Sequence, residues 1–473
     1  MFNKMLFACM FFCCCTVMNA SDARYVGMGN LSLLFPDEFH RLDLYDFAAI
    51  PAALMNNDTV QFFAVRASGL TELWPNASLK YLAIGQAFPQ KLTDYMPLEA
   101  AAALYSAVPM FSLSPAEFVY SSCQAKEKFD DFGNVSKPQA WRLYGGWGQL
   151  NQTYADSLTD NIKTPALAFA YSKPVSENLS YGFSGDLFYG MFNSAGGHDK
   201  ATLFPVGGGG GVAFGRHPLS VGLNVEYHYP MFDFSETFGT ITYAEKYSGH
   251  AVSPSLGVTY QIDNLSWVTA ANFKWLNMNG HHDTLSVGSL KSTGYLAKSQ
   301  LYYSTGMIRA AGLVFYDNRS PSYTDETGNI WFNSSFLDYG VGIGIGLVMN
   351  KLNAGLEALI RQDQIDEKIT PETFKARNMV FKAGLEYSLI KTLLIRAGYN
   401  YVLNDPDLSD ADDRFKAHVI TSGFGINAMP DVRIDVGYNY RMGKTEADPN
   451  EKVTDHIFFA YFKYTIRAKD NMF

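Results

Sequence analysis

The chain has 473 residues, 47% hydrophobic, 15% aromatic and only 18% charged, with 40 Gly, 35 Phe, 29 Tyr and a formal net charge of -9. So many aromatics exclude a disordered chain, and so few charges sit badly with a soluble enzyme, whose domains usually carry about 25%. The acidic balance, with no Lys/Arg cluster to offset it, excludes nucleic acid as a partner.

The N-terminus reads as a secretory signal over residues 1–23. Lys4 precedes an apolar stretch from Met5 to Val17, and small residues follow at Asn19-Ala20-Ser21-Asp22-Ala23. This is the only notable uninterrupted apolar run, and it is too short for a spanning helix, so a polytopic helical membrane fold is excluded. Cys9, Cys13, Cys14 and Cys15 lie inside the signal, leaving Cys123 alone in the mature chain. A disulfide, a cysteine zinc site and a redox pair are all ruled out by that count.

Residues 24–57 show no clean strand. They hold Gly27-Met28-Gly29, a polar stretch from Asp37 to Asp46, and Ile50-Pro51-Ala52-Ala53-Leu54. Their position suggests an N-terminal plug ahead of a barrel over residues 58–473. From Trp141 onward, alternation of period two recurs in segment after segment. Val432, Ile434, Val436, Tyr438, Tyr440 and Met442 share one face, and Arg433, Asp435, Gly437, Asn439 and Arg441 the other. Such strands suit lipid on one side and water on the other, and average to the near-neutral mean hydropathy of -0.08. The predicted fold class is all-β: a transmembrane antiparallel β-barrel of about 16 strands (roughly 14 to 18), each of about 8 to 12 residues.

The connections alternate in length. Tight links such as Arg216-His217-Pro218, Asp263-Asn264 and Asn350-Lys351 are followed by long polar ones, among them Met231 to Ala251, Asn277 to Leu290 and Asp317 to Asp338. That alternation marks an outer-membrane barrel, with tight turns in the periplasm and long loops outside, and its parity puts the C-terminus in the periplasm. The last segment, with Phe458, Ala460, Phe462, Tyr464 and Ile466 on one face and Phe473 at the end, resembles the aromatic C-terminal strand recognised by barrel assembly machinery.

Two glycine features stand out. In Tyr339 to Leu347, Gly340, Gly342, Gly344 and Gly346 share one face and Val341, Ile343, Ile345 and Leu347 the other. With the apolar face in lipid, the lumen along this strand would carry no side chains, leaving a path for a ligand or for plug backbone; otherwise glycine merely eases strand curvature. The second feature is Pro205 with Gly207, Gly208, Gly209, Gly210 and Gly211, which should hold a regular strand poorly and make a kink or gap in the wall, or else a flexible strand top beside a loop.

Catalytic and metal constellations are missing from this reading. There is no Gly-x-Ser-x-Gly elbow, His281-His282-Asp283 lacks carboxylates at ligand spacing, and the acidic stretch Asp405 to Asp413 lacks the Gly and distal Glu of an EF-hand. No catalytic residue, metal ligand or cofactor is therefore assigned. Glu357, Arg361, Lys382, Glu386, Arg396, Arg433, Asp435 and Arg441 all face inward by parity and should form a lumenal ladder of ion pairs.

Gly27-Met28-Gly29 with Ile50-Pro51-Ala52-Ala53-Leu54 resembles the start of the FadL/TodX family of outer-membrane transporters, including its distant relatives associated with secretion. That family opens with Gly-x-Gly and Asn-Pro-Ala-(Gly/Ala)-Leu, Ile50 standing here in place of the Asn. The resemblance implies a hatch inside the barrel involving Gly27, Gly29, Ile50, Pro51 and Ala52. It also implies a lateral opening for apolar substrate, for which Pro205 and Gly207 to Gly211 are the candidates. The expected function is passive uptake of hydrophobic or amphipathic small molecules through the outer membrane; the alternative is a non-transporting barrel that anchors or assists secreted proteins. Outer-membrane lipids, a hydrophobic ligand and the assembly machinery are the expected partners.

Overall fold

In the computed structural model the described residues are Met28, Leu31, Leu33 and Leu34, strand segments between Gln61 and Lys163, and most of residues 165–466. The signal region, Gly27, Gly29, Ile50, Pro51, Ala52 and Phe473 lie outside them.

One antiparallel sheet takes 24 strands. It closes on itself: strand Gln61–Trp74 pairs with strand Lys452–Ile466, from Gln61 opposite Ile466 to Glu72 opposite Asp455. Six pairs of successive strands lie end to end against shared neighbours, an example being Asp199–Leu203 with Val206–Arg216, so the described sheet fills 18 wall positions. An even number is what antiparallel closure requires, and closure removes every unpaired edge from the membrane. The fold is a transmembrane β-barrel.

Side-chain alternation sorts the two faces. In strand Ile330–Val348 the outward residues are Tyr339, Val341, Ile343, Ile345 and Leu347, with Ile343 66% exposed. In strand Leu265–His282, Trp267 and Trp275 bracket the outward belt, and Tyr303 and Tyr295 do so in the next strand. Eight residues of tilted strand between aromatics match an apolar band of about 25 Å. Inside, Arg396, Asn400, Asp435 and Asn439 are buried. Replacing Ile343 by Lys should cost about 2–4 kcal/mol, because the ammonium would sit in mid-belt hydrocarbon. Urea unfolding of the lipid-folded protein measures this, and an unchanged midpoint would contradict the lipid-facing placement.

The predicted long loops are mostly strand. The stretch Asp317 to Asp338 is the meeting of strands Ile308–Thr324 and Ile330–Val348, and Asn277 to Leu290 that of Leu265–His282 and Leu285–Ser304. His281 and His282 thus end a strand instead of lying in a loop. Beyond the aromatic girdle both faces meet water, so the apolar alternation fades while the backbone ladder continues. The connections left in these two hairpins are tight. Asp325 Oδ1 accepts the Thr327 and Asn329 N–H groups at 2.9 and 2.8 Å, and Gly328 takes φ +86°.

A second departure crosses the wall. Strand Ala77–Ala83 is continued on the same neighbours by Ala116–Gln124, and the breaks at Trp147/Gln149, Pro165, Tyr189, Pro205 and Pro230 follow in adjoining strands at the same level. Three of these positions are proline, which has no N–H to give the ladder. Backbone bonds still stitch the line, with Phe204 N–H donating to Met231 O at 2.8 Å and Tyr189 N–H to Pro165 O at 3.0 Å. Cys123 lies in the Ala116–Gln124 segment.

Candidate functional site: the lumenal face and the N-terminal segment

Four described residues of the N-terminal segment lie against the inner wall. Met28, Leu31 and Leu34 are 0% exposed and cluster with Ala311, with Leu33, Tyr302 and Val348 packed around them. Burying three such side chains contributes about 1.5–3 kcal/mol each. Leu34 N–H donates to Glu357 Oε1 at 2.8 Å, and the Leu33 N–H bonds the same carboxylate. Glu357 Oε2 in turn lies 3.5 Å from Lys382 Nζ. A carboxylate that accepts backbone donors and faces an ammonium satisfies both oxygens, which burial demands.

Glycines make room for these contacts. A Cβ at Gly384 would collide with the Met28 carbonyl, and one at Gly344 would stand 2.9 Å from Leu34 Cγ. The remainder of the predicted glycine path is filled from the side. At Gly340 the Phe315 ring would be 2.8 Å from a Cβ, and at Gly342 Leu359 would be 3.3 Å and Leu313 3.5 Å away. Gly340, Gly342, Gly344 and Gly346 therefore face the lumen as predicted, but neighbouring strands and Leu34 lean over three of them. The bare path is corrected to a seat lined with apolar side chains.

The second glycine prediction needs a larger correction. Strand Val206–Arg216 pairs without a break on both edges, Gly207 to Gly211 opposite Asp186 to Gly182 on one side and His228 to Asn224 on the other. No gap opens at those glycines; only Pro205 stands at a strand break. Two ladders of hydrogen bonds hold the run flat, outweighing glycine's backbone entropy. Its inner face serves as a passage for neighbours instead. His228 leans over Gly207 so that its Nε2 lies 2.8 Å from Asp186 Oδ1 two strands away.

The predicted ladder of ion pairs is present. Arg396 Nε donates to Glu386 Oε2 at 2.7 Å and its Nη2 to Asp435 Oδ1 at 2.6 Å, while Arg433 Nε donates to Asp435 Oδ2 at 2.6 Å. Arg396 reaches Asp435 across Gly425, where a Cβ would strike both side chains. Higher up, Arg361 Nε meets Asp363 at 2.9 Å and Asp338 at 2.8 Å, and Asn378 Nδ2 donates to Asp363 at 2.7 Å. Sequence parity found which charges face inward. It missed Asp338, Asp363, His228 and Asp186, whose partners are set by register alone, and it missed Glu357 as the acceptor for the N-terminal segment. Among the described residues no group of His, Cys, Asp and Glu could hold a metal ion.

No protein-family model and no curated protein matches the chain. Among solved structures it is similar to the CymD monoaromatic hydrocarbon channel, at 11% identity and TM-score 0.38 over 94% of this chain and 97% of that one. The toluene transporter TbuX of Ralstonia pickettii gives 11% and 0.36 over 95% and 98%, and the copper transporter OprC 10% and 0.45 over 85% and 80%. At these TM-scores the likeness carries no inference about cargo.

Proposed function

We propose that the protein is an outer-membrane channel that passively admits hydrophobic or amphipathic small molecules, with the segment around Met28 to Leu34 acting as a hatch in the lumen. The observation that carries this reading is the burial of Met28, Leu31 and Leu34 against an inner wall that offers them seats at Gly344 and Gly384 and apolar neighbours in Ala311, Tyr302 and Val348, with Leu313, Phe315 and Leu359 over the adjoining Gly340 and Gly342. A purely aqueous pore has no use for an apolar lumenal patch, whereas an apolar solute displaced from water gains about 25 cal/mol per Å² there. The two barrel termini, Gln61 and Ile466, meet at the end that carries the tight turns, which we assign to the periplasm. In that orientation the hatch enters from below and solutes arrive between the long hairpins above.

Uptake of a radiolabelled fatty acid or aromatic hydrocarbon by cells with and without the gene tests the proposal. The expected result is faster uptake with the gene and unaltered uptake of a small sugar. Equal uptake of every apolar probe in both strains would overturn it.

A further inference from the structure

Two adjoining tight turns carry apolar side chains and lysines together. Met349 and Lys351 lie between strands Ile330–Val348 and Leu352–Glu367, while strand Glu372–Ile390 ends in Leu389 and Ile390 and turns through Lys391 into Leu393–Asp407. Met349, Leu389 and Ile390 are 48%, 52% and 58% exposed, at positions where a turn in water carries polar residues. Apolar turns suit the edge of the hydrocarbon, with lysines beside them reaching out to the polar layer.

A backbone bond joins the two turns. Ser388 N–H donates to the Lys351 carbonyl at 2.7 Å, so both lysines stand below one stretch of wall. Both are exposed, and among the described residues neither ammonium has an ion-pair or hydrogen-bond partner. Glu386, in the same strand as Leu389 and Ile390, faces the lumen and is held there by Arg396 and Asn353.

Rising from the turns, the outward face offers first a phenol and then a trough. Tyr387 stands opposite Leu352, and the next three outward rows of this strand pair each hold one alanine: Ala354 opposite Leu385, Ala383 opposite Leu356, and Ala358 opposite Phe381. Over Ala383 and Ala358 a groove of about 370 Å³ opens on the outer surface, walled by Ile343, Ile345 and Phe381. At a strand tilt of about 40°, Leu356 lies about 13 Å and Ala358 about 18 Å deeper than Lys351, which brackets the about 15 Å of hydrocarbon in one leaflet.

We propose that these turns and the groove form a site for an anionic glycerophospholipid of the leaflet at the tight-turn end. Its phosphate lies between Lys351 and Lys391, the Tyr387 hydroxyl donates to an ester carbonyl, and one acyl chain fills the groove. The order of side chains with depth is that of the lipid: phosphate, then ester, then hydrocarbon. Two unpartnered ammonium groups favour a headgroup of net negative charge over a zwitterionic one, whose own cation opposes them. That this leaflet is the periplasmic one rests on the orientation proposed above; the site itself is on the outward face and is independent of what the lumen passes.

The test offers full-length protein in mild detergent phosphatidylglycerol and phosphatidylcholine with the same acyl chains, retained lipid being read by native mass spectrometry. No transport enters this measurement, so its failure and a failure of uptake are separate results. The wild type should retain phosphatidylglycerol selectively. Lys351→Ala with Lys391→Ala should weaken that retention by about tenfold or more, each lysine near an anionic lipid being worth about fivefold. Ala383→Phe, which fills the groove and leaves both lysines in place, should weaken it too, whereas Lys291→Ala at the opposite end should leave it unchanged. Equal retention of the two lipids, no loss in the double variant, or full retention by Ala383→Phe would overturn the site. If the double variant lacks the heat-modifiable band of a folded barrel, the wild type decides: retention of phosphatidylglycerol must fall as salt rises, and salt-independent retention also overturns the proposal.

Discussion

Replacing Arg396 by Ala should destabilise the barrel by about 3–5 kcal/mol, the largest single effect expected from any lumenal side chain. Its side chain is fully buried and bonds both Glu386 and Asp435, whose carboxylates are themselves 3% and 0% exposed. Removal leaves two buried anions with Arg433 as their remaining cation, 3.8 Å from Glu386 and 2.6 Å from Asp435. The companion variant Glu386→Gln with Asp435→Asn, added to Arg396→Met, should recover much of the loss, since neutral groups of similar shape need no counterion. Denaturant midpoints of the lipid-folded protein measure both. A loss below 1 kcal/mol for Arg396→Ala would mean that water reaches the network and screens it.

If Met28 to Leu34 form the proposed hatch, replacing Gly384 by Leu should raise conductance by displacing that segment from the wall without changing its own sequence. The Cβ at this position collides with the Met28 carbonyl, a backbone atom that cannot step aside by changing rotamer. The wall on either side is paired from Glu372 opposite Glu367 to Leu352 opposite Tyr387, so the N-terminal segment yields before the strand does. Single-channel conductance or liposome swelling should rise to the level of a variant lacking residues 24–34. Glu357→Gln should raise it less, because the amide oxygen still accepts the Leu34 N–H. If Gly384→Leu folds and conducts as the wild type does, Met28 to Leu34 do not form the hatch.

The lipid-facing half of the fold was legible in the sequence. Ile434, Tyr438 and Met442, or Phe381, Leu385 and Tyr387, could be assigned outward from alternation alone, because a one-residue slip would put each of them into the lumen. The inward charges were legible by the same parity. The upper hairpins were not: Asp317 to Asn329 is polar but for Pro321 and Tyr323, the apolar residues that follow, Ile330-Trp331-Phe332 and Phe336-Leu337, stand in runs instead of alternating, and strands held chiefly by backbone bonds leave little trace in the hydropathy pattern. Glycine was misread for a related reason. Composition suggests that Gly207 to Gly211 weaken a strand, yet each is held on two edges, and the space they leave is used by His228, Glu226 and Asn224 of the next strand.

By itself the sequence determined the class of fold, the face of each recognisable strand and the apolar-to-polar order across the membrane, since the bilayer imposes these on every residue locally. Only the tertiary structure decided which residues meet: Arg396 with Asp435 across Gly425, and Leu34 with Glu357. Register and closure set those meetings. Both depend on hydrogen bonds between backbones, which are chemically the same at every position, so no single residue type announces them.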